Sequence, residues 1–259
     1  MAVACLALLQ GACQRPASDA QKIDLGIEWV RDSAEYRALS LQVYRMAAEA
    51  LPAKLADLHW SALPDQQEAA ALPPAIIFDV DETLLTNAHF QVGLVPPFRD
   101  SKLDTWSSNN RAVAVPGAVA FVQLVVDAGV EVFFLTNRPC EQRGTLACPQ
   151  EQVVIDDLVE AGFPATRDNV SLSFERPEWT KEKSIRRDLI AREHRVIMLI
   201  GDDLGDFIPC TRKRPLAPCT TAATRESRHA LVDEFADYWG NGWYVLPNPM
   251  HGSWTSFDE

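Results

Sequence analysis

Acidic side chains crowd one short stretch of this chain. Residues 76–85 read IIFDVDETLL, which sets Asp79, Asp81 and Glu82 between an apolar run and a pair of leucines. Neighbouring carboxylates repel and are costly to take out of water, so positive charge must come from elsewhere. A second apolar run, RVIMLIG, is followed by DDLGDF with Asp202, Asp203 and Asp206. Oxygen ligands of this kind suit a hard divalent cation such as Mg²⁺, which keeps several waters while binding a substrate phosphate. A third run, VEVFFLTNR, ends in Thr136, Asn137 and Arg138, and Lys183 lies in KEKSIRR. Carboxylates, a metal ion, a hydroxyl and a lysine together suit the three oxygens of a phosphoryl group.

These groups can meet only if distant segments converge. AIIFDV is a short apolar run suited to a central parallel strand buried on both faces, and VEVFFLTN, NVSLSF, RVIMLIGDD and WYVLPNP read as further strands. Helical patterns fall between them: GAVAFVQLVVDAG, opened by Pro116-Gly117 and closed by Gly129, then EQVVIDDLVEAGF, KEKSIRRDLIARE and RESRHALVDEFADYWG. Alternating strands and helices predict an α/β fold with a doubly wound parallel sheet. Ligands bind outside the carboxyl ends of such strands, where FDVD, LTN and IGDD all carry their polar residues.

Upstream, Ile27, Val30, Tyr36, Leu39, Leu41, Val43, Tyr44 and Met46 recur at roughly helical spacing. Ser33 with Glu35 reads as the start of a second helix, which Pro52 is expected to interrupt. Residues 87–115, with Pro96, Pro97, Phe98 and Trp106, read as an irregular insert.

The net charge of −12, from 24 basic and 36 acidic residues, argues against binding a nucleic-acid polymer. It leaves room for a small anionic substrate, because a metal ion and a few cations can reverse the potential within one pocket. MAVACLALLQGACQRP resembles a signal segment, and GAC at 11–13 resembles the end of a bacterial lipobox, which would make Cys13 a lipid-anchored amino terminus. No basic residue precedes the apolar run, and Gln10 stands at the lipobox's aliphatic position. The expectation is an exported protein, periplasmic or held at the outer membrane. Cys140 with Cys148, and Cys210 with Cys219, form two local pairs with no histidine between their members, so two disulfides in an oxidising compartment are expected rather than zinc sites.

DVDETLLTN, LTNR, KSIRR and GDDLGDF resemble, in order, the four motifs of the haloacid dehalogenase superfamily. Within it the chain is most similar to the exported class C acid phosphatases of the lipoprotein e(P4) type, some of them 5′-nucleotidases. WVRDSAEYRALSLQVY, RAVAVPGAVAF and VLPNPMHGSW extend that resemblance over about residues 24–254. It implies a Rossmann-like core with a small, mainly helical cap. Residues 1–23 would be signal and linker, 24–72 helices contributing to the cap, and 73–259 the core, with a cap insert at about 88–115.

The resemblance makes Asp79 the nucleophile and Asp81 the group that protonates the leaving alcohol and then activates water. An acid at position 81 fits phosphomonoester hydrolysis. Thr136 and Lys183, with Asn137 and Arg138 beside them, would bind the phosphoryl oxygens; Lys181 is the alternative lysine, and a surface ion pair the alternative role for Arg138. Mg²⁺ would be held by Asp79, the Asp81 backbone carbonyl and Asp202, with Asp206, or Asp203 in its stead, orienting metal-bound water or the lysine. Phe90 occupies a place where the family sets an aromatic against a nucleobase, and Trp106, His251 and Trp254 are further candidates for the entrance. Glu82 is assigned no catalytic role beyond loop or metal-water hydrogen bonds. The implied function is Mg²⁺-dependent hydrolysis of small phosphomonoesters, including nucleoside 5′-monophosphates. The alternatives are a phosphotransferase using the same intermediate and a surface lipoprotein that binds a ligand for uptake.

Overall fold

The computed structural model of the chain describes residues 24–109 and 113–257. The signal-like segment, with Cys5 and Cys13, lies outside the described residues. Two helices come first, α1 (Leu25–Asp32) and α2 (Ala34–Ala56), followed by strand β1 (Pro74–Asp79). The insert is more regular than its sequence suggests. It carries β2 (Leu85–Thr86), α3 (Ala88–Gly93), α4 (Asp100–Ser107) and β3 (Val113–Ala114), with β2 and β3 paired antiparallel. Helix α5 (Ala118–Asp127), β4 (Glu131–Pro139), α6 (Pro149–Ala161), β5 (Val170–Ser173), α7 (Ser184–Ala191), β6 (Arg195–Gly201), α8 (Arg225–Glu234) and β7 (Trp243–Val245) complete the alternation.

Five of these strands form one parallel sheet in the order β5-β4-β1-β6-β7. The two central strands are buried nearly throughout, which is why they read as unbroken apolar runs. Alternate residues serve opposite faces. Ile76, Phe78 and Phe134 pack with residues of α2, α5 and α6, whereas Ile77, Leu135 and Leu199 pack with residues of α7 and α8. The sheet is thus covered on both sides, and its two middle carboxyl ends, after Asp79 and Gly201, lie side by side.

Ser33 caps α2, its hydroxyl accepting from the Tyr36 N–H at 3.0 Å. Pro52 does not interrupt this helix, which continues to Ala56. A proline inside a helix costs about 3 kcal/mol, and burial of the last turns offsets it here. Leu51 is buried, and the buried Lys54 places Nζ 3.2 Å above the Trp60 ring and 2.7 Å from Asn241 Oδ1. The buried stripe also differs from the apolar one. Tyr36, Ser40, Tyr44, Ala47 and Leu51 face inward at steps of four, four, three and four, while Leu39, Leu41 and Met46 are exposed. Small Ser40 and Ala47 let α2 lie close to the core, so size decides the face as much as hydrophobicity.

Both cysteine pairs are disulfides, Cys140–Cys148 and Cys210–Cys219. Among the described residues no helix is long and apolar enough to cross a membrane.

Candidate active site

Beyond β1 the chain turns sharply: the N–H groups of Leu84 and Leu85 both donate to the Val80 carbonyl at 2.9 Å. Glu82 adopts a left-handed conformation, φ 64°, unusual for a side chain with a Cβ. Its carboxylate offsets that strain, accepting from the Asn87 N–H at 2.8 Å and the Thr86 hydroxyl at 3.2 Å. Glu82 is therefore the brace of the loop that presents Asp79 and Asp81.

Asp79, Asp202 and Asp206 each bring one carboxylate oxygen within 4.8 Å of the others. Lys183, buried at the start of α7, bridges Asp79 Oδ1 and Asp206 Oδ1, the latter at 2.6 Å. Lys181 instead pairs with Asp100 of α4 at 3.4 Å and does not reach the cluster. Asp206 Oδ2 accepts from the backbone N–H groups of Asp202 and Asp203 at 3.1 and 2.9 Å. This packing requires Gly201, since a Cβ there would lie within 2.7 Å of the Asp206 Cγ. Two further cations of α7 hold the surrounding backbone. Arg187 Nη1 donates to the carbonyls of Gly205 and Asp206, and Arg186 Nη1 to that of Thr136.

One lysine does not satisfy this cluster. Asp79 Oδ2 is buried with no hydrogen-bond partner. Burial pushes the Asp79 carboxyl up to about 7; Lys183 pulls down, while Asp206 and Asp81 add to the rise. Burial and the neighbouring Asp79 and Asp206 likewise hold Asp202 well above the usual carboxylate range. A bare buried oxygen amid three carboxylates fits a hard divalent cation.

Asp81 is held differently. Its Oδ1 accepts from Asn87 Nδ2 at 2.9 Å and from Arg138 Nη2 at 2.8 Å, and its Oδ2 from the Thr136 hydroxyl at 3.0 Å. Burial alone would raise this carboxyl, but the Arg138 charge and these hydrogen bonds carry it below the usual range. Arg138 is only 4 % exposed, so the alternative of a surface ion pair is overturned. Its position at the buried end of β4 turns the guanidinium inward, and Nη1 pairs with Asp157 of α6 at 2.9 Å.

Residues 10–254 match the model of the HAD superfamily, subfamily IIIB (Acid phosphatase). The chain belongs to that family. It is similar in structure to the class C acid phosphatase from Bacillus anthracis, with TM-scores of 0.69 for the tungstate-bound form and 0.68 for a second structure. Each shares 27% identity and covers 88% of this chain and 84% of the other. It is also 31% identical over 194 residues to Acid phosphatase 1 of Solanum lycopersicum, a match spanning 68% of this chain and 57% of the tomato protein.

The other candidate residues of this subfamily IIIB chain have partners of their own. Asn137 Oδ1 accepts from Arg186 Nη2 at 3.0 Å. Asp203 turns away from the cluster: its Oδ1 accepts from the Gly205 N–H and the Ser253 hydroxyl. Asp206, not Asp203, therefore meets the lysine. Phe90 is buried between Phe98 and Trp106, with ring centroids 6.2 and 5.7 Å away. His251 places Nε2 3.6 Å from Glu82 Oε1. Trp254 is 40% exposed.

Two neighbours of the site went unread in the sequence. Asn248 donates Nδ2 to Asp202 Oδ2 at 2.7 Å, and nothing in LPNPM distinguishes it from any other turn residue. Asp157 did leave a trace, because it falls on the buried face of α6 with Val154 and Leu158, where a charge demands a partner.

Proposed function

We propose that this protein is an exported, Mg²⁺-dependent acid phosphatase that hydrolyses small phosphomonoesters, nucleoside 5′-monophosphates among them, through an aspartyl-phosphate. The carrying observation is the unlike treatment of two neighbouring acids: Asp79 keeps a bare buried oxygen, whereas Asp81 is held through both of its own.

Asp79 is the nucleophile. A carboxylate oxygen forms a bond to phosphorus while the bond to the ester oxygen breaks, and that electron pair leaves with the alcohol, which takes a proton from Asp81. Asp81, now ionised, takes a proton from water as the water attacks phosphorus and frees phosphate from Asp79. Thr136, Asn137 and Lys183 hold the phosphoryl oxygens. Asp79, the Asp81 carbonyl and Asp202 are the residues to hold Mg²⁺, which when bound neutralises their charge and draws electron density from the phosphoryl group. Arg138 favours ionised Asp81, so the proton for the first step is taken up from an acidic medium, and an anionic substrate nearby would raise the carboxylate's affinity for it. Activity should therefore fall as pH rises from the acidic range towards neutrality.

In this reading α1 with the insert helices α3 and α4 forms the cap, α2 covers the sheet, and Phe90, the aromatic expected against a nucleobase, is itself buried between Phe98 and Trp106. The two disulfides support an oxidising compartment, hence export. The test is hydrolysis of p-nitrophenyl phosphate and nucleoside 5′-monophosphates before and after chelation, with Asp79→Asn alongside. Loss of at least about 10³-fold in the variant, and loss on chelation reversed by Mg²⁺, is expected. Unchanged turnover in either case would sink the reading.

A further inference from the structure

Asp157 takes no part in that chemistry, yet it is a buried carboxylate one side chain removed from it. Its Oδ2 accepts from Arg138 Nη1 at 2.9 Å, and the same nitrogen donates to Ser107 Oγ of α4 at 3.3 Å. The opposite edge of that guanidinium, Nε and Nη2, donates to Asp81 Oδ1 at 3.0 and 2.8 Å. All three partners of this relay away from Asp81 are enclosed: Asp157, Arg138 and Ser107 are 4, 4 and 5 % exposed. A guanidinium is a rigid, planar fork, so fixing one edge fixes where the other points.

We propose that Asp157 is a positioning residue for the leaving-group proton: through Arg138 it sets the direction of the Asp81 carboxyl. Ser107 ties the same arginine to the insert, so the relay spans the loop after β1, strand β4, α6 and the insert helix α4. Asp157 touches no reacting atom. Asn87 and Thr136 also hold Asp81, which makes the effect of losing Asp157 partial rather than total. The inference rests on the reading of Asp81 as the proton donor.

Leaving-group chemistry separates this role from a merely structural one. An alkoxide departs only with a proton, whereas 2,4-dinitrophenolate departs without one. A misdirected Asp81 therefore harms alkyl esters selectively, and a loosened fold harms both alike. The measurement is kcat/KM, which ends at formation of the aspartyl-phosphate, on ethyl phosphate and on 2,4-dinitrophenyl phosphate with the full chain in Mg²⁺. Asp157→Ala should lose about 100-fold on the alkyl ester and under about 3-fold on the aryl ester. Asp157→Asn keeps shape and an acceptor oxygen, guards against failure to fold, and should show the same selectivity at about 5-fold. Equal losses on both esters, or no loss in either variant, would overturn the proposal. Asp81→Asn distinguishes the two levels: if it spares the alkyl ester, the proton-donor reading itself fails and the role of Asp157 falls with it.

Discussion

Asp79 and Asp81 stand two residues apart and are treated in opposite ways. On the β6 side, Asp79 shares Lys183 with Asp206, faces Asp202, and retains an oxygen with no partner. On the β4 side, Asp81 meets a guanidinium, an amide and a hydroxyl, and the arginine's charge is shared with a second buried carboxylate, Asp157. One side is short of positive charge and the other is saturated with hydrogen bonds. On the proposed mechanism, the carboxylate that attacks is the one left bare and poised for a cation, while the one that passes a proton is held still.

That contrast can be broken most directly at Arg138. Replacing it by methionine strands Asp81 and Asp157 without their cation, and should cost about 3–5 kcal/mol in urea unfolding. A loss below about 1 kcal/mol would mean that the two carboxylates do not depend on it. The β6 side should respond to metal and pH instead. Asp79 and Asp202 have folded-state pKa values raised above those of an unfolded carboxyl, so they favour the fold in acid and lose that contribution as pH rises, for Asp79 through about 7. Metal-free protein should thus melt roughly 5 °C lower at pH 8 than at pH 5, with Mg²⁺ restoring more at the higher pH. A flat melting profile would remove the charge deficit from the argument. The smallest effect belongs to Lys181, whose pair with Asp100 is one-third exposed. Lys181→Ala should change stability by no more than about 0.5 kcal/mol and leave turnover within about twofold. A large loss of activity would return Lys181 to the centre in place of Lys183.

Much of this was legible in the residues. Strands β1 and β6 are buried on both faces, so their sequences lose the usual alternation and the acids at their ends stand out. The four motifs fall on the elements expected of them, and the local spacing of the cysteines gave both disulfides. Other features were hidden by physics that pattern alone does not carry. Pro52 breaks a helix only if nothing beyond it is held, and the contacts of Lys54 with Trp60 and Asn241 are long-range. Arg138 reads as a cation for the phosphate or for a surface ion pair until the acid facing it from α6 is known. Arg186 and Arg187 follow Lys183 in KSIRR, yet both are buried and donate to backbone carbonyls, Arg186 to Thr136 of β4 and Arg187 to Asp206.

The carboxyl-terminal stretch joins the acidic loop at two places, Asn248 on Asp202 and Ser253 on Asp203. A chain that emerges from the ribosome amino end first therefore holds Asp79 long before it holds the residues that support Asp202 and Asp203. The hydrogen-bonded surroundings of Asp202 and Asp203 are therefore complete only once nearly the whole polypeptide has been made.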